Sequence, residues 1–189
     1  MRPDFALVLS LLAGVVSGAV VGATPMPARA SVVEAMDLEA LVREADEVVV
    51  ARVLKQESHY DAQQHIVTDY LMQVERVEKG SQQPGAAVTV RKLGGVVGER
   101  GMRISGEPSF EVGETVVLFG QRGGRTYLRP VGMAQGALRV FEQDGVQWAR
   151  TATGGLSLRG AQAKSLASQG PRRLDDLLGE VRALVEAQR

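Results

Sequence analysis

The chain of 189 residues contains no cysteine. Without a thiol, a disulfide framework, thiol catalysis and a cysteine-ligated zinc or iron–sulfur site are all excluded. We also expect no lipoprotein anchor, because lipidation attaches to a cysteine directly after the signal sequence. The fold must therefore be stabilised by a hydrophobic core without covalent cross-links, and no cofactor is predicted.

The sequence also lacks an excess of one charge and has few aromatic residues. It has 22 basic and 22 acidic residues, and aromatic residues make up 4% of the chain. Proteins that bind nucleic acid usually carry a basic excess or stripe, and single-strand binders add aromatic side chains that stack on bases. The composition therefore predicts no nucleic-acid partner, and it offers no strongly cationic helix for a membrane surface.

Residues 1–30 have the pattern of a cleaved export signal. A basic residue precedes an uncharged stretch over residues 5–21, and Ala28 and Ala30 form the small-x-small pattern before Ser31. The alternative is an uncleaved anchor helix, since the apolar run approaches the roughly 20 residues that a span requires. We expect cleavage, a secreted or periplasmic location, and no stable membrane insertion afterwards.

Residues 31–150 have the pattern of one short helix followed by short strands. Asp37 is an N-cap type of residue, and apolar residues repeat at helical spacing over the next two turns. Seven strands are then predicted from β-branched and alternating apolar residues. They are residues 47–56, 66–78, 87–93, 114–120, 125–131, 137–141 and 146–150.

The second of these strands, residues 66–78, alternates cleanly between apolar and polar positions. Its even-numbered residues are the more apolar, so we expect them to face the core. Thirteen residues is long for a strand, and a bend or bulge within it is expected.

The C-terminal part of the chain changes character. Residues 151–173 are rich in Gly, Ser, Ala, Gln and Arg, a composition typical of a flexible linker. Residues 174–189 then form a C-terminal segment in which leucine and valine repeat along one face of an amphipathic helix. We expect this helix to pack against the rest of the chain, because its apolar stripe must be covered.

Short, evenly spaced strands favour an antiparallel barrel or sandwich, and a barrel has the advantage of leaving no exposed edges.

Several stretches resemble netrin-like domains, the OB-type barrels of the tissue inhibitors of metalloproteinases. They are residues 38–53 (LEALVREADEVVVARV), residues 68–80 with the ending VEKG, and residues 110–119 (FEVGETVVLF). Exported bacterial proteins of unassigned function are more similar still, and they share the ending seen here at residues 132–140 (GMAQGALRV).

The resemblance covers about residues 36–141 and implies a mainly β fold. This is an antiparallel OB-like barrel with a short N-terminal helix and a C-terminal amphipathic helix. The animal inhibitors chelate the protease zinc through a disulfide-locked N-terminal cysteine. Here the predicted mature start is Ser31 and no cysteine exists, so only the scaffold is implied for this chain.

The two histidines, His59 and His65, flank a polar turn around Asp61. A hairpin there would bring the two imidazoles and the carboxylate together as candidate metal ligands. Zinc needs three or four converging ligands, and these groups are too few to predict a metal site. The alternative is an exposed turn in which the Asp61 side chain accepts hydrogen bonds from the backbone.

Residues 94–108 hold five glycines without sustained periodicity, which predicts a long irregular loop and a candidate binding surface. The candidate binding residues are Gly94, Gly95, Gly98, Glu99, Arg100, Arg103 and Glu107. A phosphate-binding loop is the alternative interpretation. Such loops lie between a strand and a helix, and no helical pattern follows Gly101.

Together these patterns predict an exported, non-enzymatic binding protein with an extracytoplasmic protein as partner. Protein–protein recognition and protease regulation are the roles considered. Two alternatives stay open: a metal-dependent hydrolase that uses His59 and His65, and a structural component of the cell envelope.

Overall fold

A computed structural model of the chain describes residues 32–152, 157–159 and 165–188. Within these ranges the protein is mainly β and has two α-helices, as the sequence predicts. The predicted export signal and its cleavage site at Ala28, Ala30 and Ser31 lie outside the described residues.

The described elements run from a short N-terminal strand to a C-terminal helix. The first six strands are β1 (Val32–Glu34), β2 (Glu47–Tyr60), β3 (Ile66–Lys79), β4 (Ala87–Leu93), β5 (Gly95–Val97) and β6 (Arg100–Met102). The other six are β7 (Thr115–Gly123), β8 (Tyr127–Pro130), β9 (Ala137–Gln143), β10 (Val146–Thr151), β11 (Ser157–Arg159) and β12 (Arg172–Arg173). The helices are α1 (Leu38–Glu44) and α2 (Leu174–Ala187).

Five strands pair in a circular order. β2 pairs with β3 on one side and with β7 on the other, β3 pairs with β4, and β8 pairs with both β4 and β7. All of these pairs are antiparallel except β4 with β8, which meet in parallel at Val90 and Leu128. β9, β10 and β12 continue the sheet outward from β7.

The long strand β3 confirms the predicted core-facing residues and the predicted bulge. Its even-numbered positions from Ile66 to Val74 are all buried. In the pairing with β2, Val50 lies opposite Arg76 and Ala51 lies opposite Val74, so Glu75 is an extra residue. Beyond this bulge the inward position passes from even to odd numbers, and Val77 packs against the inner core.

The strand β2 is buried on both faces where it crosses the centre of the fold. Val49 and Ala51 belong to a core formed mainly by residues of the five strands, together with Phe110 and Ala137. Val48 and Val50 belong to a second core between the sheet and the helices. The sequence predicts one largely buried face here, and the second face is buried because the two helices cover it.

The helix α1 begins at its N-cap Asp37, whose Oδ1 accepts a hydrogen bond from the backbone N–H of Ala40 at 2.9 Å. The helix α2 packs in cis, as predicted. Its buried residues Leu177 and Val181 lie in the same core as Leu41 of α1.

The segment predicted as a linker, residues 151–173, includes short ordered pieces in its described part. β11 pairs in parallel with β1, and β12 pairs with β10. Between them, Leu166 is 4% exposed and belongs to the core beneath the helices. Its composition gives no sign of these contacts, because they depend on backbone pairing and on one leucine.

Candidate functional site

The segment predicted as an irregular loop folds in part into a β-hairpin, which corrects that prediction. β5 and β6 pair antiparallel, with Gly95 opposite Met102 and Val97 opposite Arg100. The chain reverses at Gly98, which has a positive φ of 58°. The three-residue strands are too short to produce a visible period in the sequence.

The base of this hairpin is fastened to the β2–β3 sheet. The hydroxyl of Thr68 donates a hydrogen bond to the backbone carbonyl of Gly94 at 2.6 Å, and it also contacts the hydroxyl of Ser58 at 2.9 Å. A Cβ at Gly95 would overlap both hydroxyl oxygens, and its φ is 145°. Glycine is therefore required at this close approach.

A groove of about 630 Å³, here called the hairpin groove, lies between this hairpin and strands β4, β9 and β10. Its apolar lining includes Leu93, Val96, Met102 and Ile104. Val96 is 67% exposed, so this part of the lining is available for contact.

The charged lining of the hairpin groove is mostly cationic. It consists of Lys92, Arg103, Arg139 and Arg150 together with one carboxylic acid, Glu107. Three of the predicted binding residues therefore line the groove: Gly95, Arg103 and Glu107. The other four do not line it. Gly94 is buried under the hairpin, and Gly98, Glu99 and Arg100 are exposed at its tip.

The cations of the hairpin groove differ in how far they are already neutralised. Arg139 donates from Nη2 to the backbone carbonyl of Ser109 at 2.8 Å, and its Nε lies 3.4 Å from Glu114 Oε1. Within the described residues, no carboxylate lies within 4.0 Å of Lys92, Arg103 or Arg150. Arg103 and Arg150 are also exposed, so these two cations are available to an anionic ligand, whereas Lys92 is half-buried and acted on by the nearby Glu107.

Two buried polar atoms of groove-lining residues have no hydrogen-bond partner among the described residues. They are Nε of Arg139 and Oγ1 of Thr151. Buried polar groups are nearly always hydrogen-bonded, because an unpaired one costs about 1–3 kcal/mol. Because Arg139 Nε lies 3.4 Å from Glu114 Oε1, the hydroxyl of Thr151 is the one of the two that has neither a hydrogen bond nor an ion pair among the described residues.

Lys92 and Glu107 are the half-buried ionisable pair at the edge of the groove. Lys92 occupies an inward-facing position of β4, two residues after the buried Val90, and its ammonium lies 6.0 Å from the Tyr70 ring centroid. Burial lowers the pKa of Lys92, and the nearby Glu107 opposes that effect. Burial raises the pKa of Glu107, against the opposing effects of the Leu93 backbone, Lys92 and Arg129.

A second groove of about 650 Å³, here called the turn groove, lies on the other side of Lys92, Leu93 and Glu107, which line both grooves. Its other charged lining residues are Asp61, His65, Arg91 and Arg129. Arg91 is neutralised by Asp69, with Nε–Oδ1 at 2.6 Å and Nη2–Oδ2 at 2.7 Å.

The three candidate metal ligands do not converge on one point: His65 Nδ1 lies 3.5 Å from Asp61 Oδ2, but His59 faces Asp69 instead. Asp61 Oδ1 accepts hydrogen bonds from the backbone N–H groups of Gln63 and His65, each at 2.9 Å, so the carboxylate closes the turn. His59 pairs with Val67 across the strands, and its Nε2 lies 3.0 Å from Asp69 Oδ2. Within the described residues, no group of three or more metal-ligating side chains is present.

Sequence reasoning missed Lys92, Arg129, Arg139 and Arg150, which come from separate strands. The adjacent Arg91 and Lys92 in a short β-branched strand are the one local signal, since one of the two must take a core-facing position.

Neither α-helix in the described part of the chain is long and apolar enough to cross a bilayer. A comparison with protein-family models matches no family. A comparison with curated proteins finds no significant relative.

Proposed function

We propose that this chain is an exported, non-enzymatic binding protein that recognises an acidic segment of another protein outside the cytoplasm. A protease or a surface protein of the same compartment is the class of partner. The observation that carries the proposal is the charge of the hairpin groove, where four cationic side chains accompany one carboxylic acid.

An OB-type barrel of the netrin-like kind is the scaffold in this proposal. Its support is the circular pairing of β2, β3, β4, β8 and β7, with a single parallel contact between β4 and β8. A ring of strands leaves no sheet edge, and such barrels carry binding surfaces on their loops. The resemblance over about residues 36–141 points to the same scaffold.

The lining of the hairpin groove favours a peptide over a small anion. Met102 and Ile104 place apolar surface beside the exposed guanidinium groups of Arg103 and Arg150. Interfaces between proteins combine an apolar centre with charges that select the partner. A segment in which carboxylates alternate with apolar residues matches both parts of this lining.

Binding of a synthetic peptide to the purified chain tests the proposal. The probe is about twelve residues long, with glutamate alternating with valine, which gives up to about 40 Å when extended. We expect binding that weakens with salt, because exposed charges are screened. Replacing both Arg103 and Arg150 by Gln should weaken it about tenfold, measured by titration calorimetry.

Arg52→Gln is the matched control, because Arg52 is an exposed cation on β2 that lines neither groove. It should leave the affinity unchanged. Equal binding of a peptide with lysine in place of glutamate would contradict the proposal, and so would an equal loss of affinity in the double Arg103 and Arg150 variant and in Arg52→Gln.

A further inference from the structure

The turn groove has its own exposed cation on the far side of Lys92 and Glu107. Arg129 is exposed on β8, and within the described residues no carboxylate lies within 4.0 Å of it. Arg91, in contrast, is held by both oxygens of Asp69. Of the two arginines in this groove, Arg129 is therefore the one available to an anionic ligand.

The two grooves adjoin each other. They share Lys92, Leu93 and Glu107, and each has a volume of about 630–650 Å³. Each volume falls in the range of ordinary ligand sites. A ligand that extends past these three shared residues would therefore enter the second groove.

The charges are arranged in two groups along this path. Arg103 and Arg150 line the hairpin groove, Arg129 lines the turn groove, and Lys92 lies in the lining of both. The carboxylic acids are Glu107, which lines both grooves, and Asp61 of the turn groove, whose Oδ1 accepts two backbone N–H groups of its own turn. A ligand with carboxylates at two separated positions is complementary to this order of charges. A single small anion could engage one end alone.

The aromatic lining argues for a peptide rather than a single-stranded nucleic acid. Tyr127 is the aromatic residue that lines the turn groove, and the Arg91 guanidinium lies 4.2 Å from its ring centroid. Base stacking needs an open ring face. Tyr127 is the one Phe, Tyr or Trp ring among the described lining residues of the two grooves, and the Arg91 cation covers one of its faces, so successive bases have no row of rings to stack on.

The hairpin β5–β6 offers backbone contacts as well. Within the described residues, β5 and β6 form a separate two-stranded sheet, so each strand has an outer edge without a partner strand. An extended peptide can add to such an edge through main-chain hydrogen bonds. Gly95, Val96 and Met102 of this hairpin line the groove.

We propose that the two grooves form one continuous site for an extended acidic peptide segment. The segment crosses the shared residues Lys92 and Glu107, with one carboxylate near Arg103 and Arg150 and a second near Arg129. This inference rests on the proposed function and adds the length of the ligand and Arg129 as a specificity-determining residue.

The experiment compares two glutamate–valine peptides on the full chain. One has about twelve residues and the other about four, which span about 40 Å and about 13 Å when extended. The long peptide should bind with a stoichiometry of one and at least tenfold more tightly than the short one. Arg129→Gln should weaken the long peptide about threefold, and Arg103→Gln with Arg150→Gln about tenfold.

The controls separate this inference from the function on which it rests. Arg52→Gln should change nothing, and Arg129→Lys should restore part of the binding lost in Arg129→Gln. If Arg129→Gln leaves the long peptide unaffected while the hairpin-groove variant weakens it, the continuous site is wrong and the single-groove function stands. If the wild-type chain binds neither peptide, both are wrong. Tighter binding of a single-stranded oligonucleotide of equal charge would overturn the choice of a peptide.

Discussion

At the scale of single residues, Glu47 is the most constrained charged group of the described fold. It is 0% exposed, and its carboxylate accepts hydrogen bonds from the backbone N–H of Ser81 at 2.9 Å and from Arg122 Nη2 at 2.8 Å. Gly80 lies against it with a φ of 107°, and a Cβ there would overlap the carboxylate. The VEKG turn therefore ends in glycine because the Glu47 side chain fills the space.

Glu47→Gln should destabilise the fold by about 1–3 kcal/mol, because an amide N–H₂ would replace one acceptor opposite groups that donate. The free energy of unfolding is measured by urea denaturation. Glu75→Gln makes the same chemical change at an exposed position of β3 and should leave the stability nearly unchanged. Equal losses in the two variants would contradict the structural role of Glu47.

A second residue-scale feature is the contact between His59 and Asp69. Both ring nitrogens of His59 face acceptors, Asp69 Oδ2 and the Tyr60 carbonyl, each at 3.0 Å. The hydrogen bond to Asp69, with that to Tyr60, raises the pKa of His59, while burial and Arg91 oppose the rise. Burial alone would raise the pKa of Asp69, but hydrogen bonds from Arg91 and His59 outweigh it and lower that pKa.

The contact should make stability depend on pH in one direction. Because the folded-state pKa of His59 is raised, its stabilisation is complete below the unfolded pKa of about 6.5 and is lost as pH rises through the folded value. Urea midpoints of the wild type and His59→Gln should therefore differ more at about pH 5.5 than at about pH 8.5. In an Asp69→Asn background the difference should depend less on pH, because the contact with the Tyr60 carbonyl is the remaining one that raises the pKa of His59. A pH dependence of unchanged size in this background would contradict the role of Asp69.

At the scale of elements, a strand was predictable from the sequence where one of its faces is buried over several residues, because apolar and polar residues then alternate. β4 has the predicted limits at residues 87–93, and β3 differs from its prediction by one residue. The alternation in β3 is strong because its inner face packs against the five-strand core up to Val74. The position of the bulge at Glu75 depends on how β3 pairs with β2, so the sequence of β3 alone could not locate it.

The elements that sequence reasoning missed are held by contacts distant in the chain. The β5–β6 hairpin is fixed by Thr68 of β3, and β12 exists because it pairs with β10 at Trp148 and Ala149. The cations of the hairpin groove come from β4, β9, β10 and the segment after β6. Their convergence follows from the pairing order of the strands, so a residue-by-residue reading could identify Arg103 and Glu107 but not their companions. That these residues bind a partner stays a prediction.

At the scale of the whole molecule, β2 links the two cores of the described fold. Its residues alternate between the core formed mainly by the five strands and the core under the helices. The helix α2 belongs to the second core, and Arg182 of α2 also donates to Glu78 of β3 at 2.9 Å. Because both cores use the same strand, loss of one removes support from the other, and we expect a single cooperative transition.

The single tryptophan, Trp148, allows this cooperativity to be measured. It lies on β10 and pairs with Arg173, the residue that directly precedes α2. Urea unfolding followed by Trp148 fluorescence and by far-ultraviolet circular dichroism should give the same midpoint.

Leu177→Ala removes a side chain that is 0% exposed in the helix core and should destabilise the chain by about 2–5 kcal/mol, shifting both midpoints equally. Glu186→Ala, on the exposed face of the same helix, should shift neither. If the circular dichroism midpoint falls at a lower urea concentration than the Trp148 fluorescence midpoint, α2 unfolds separately. The strands would then stay folded without the packing of Leu177.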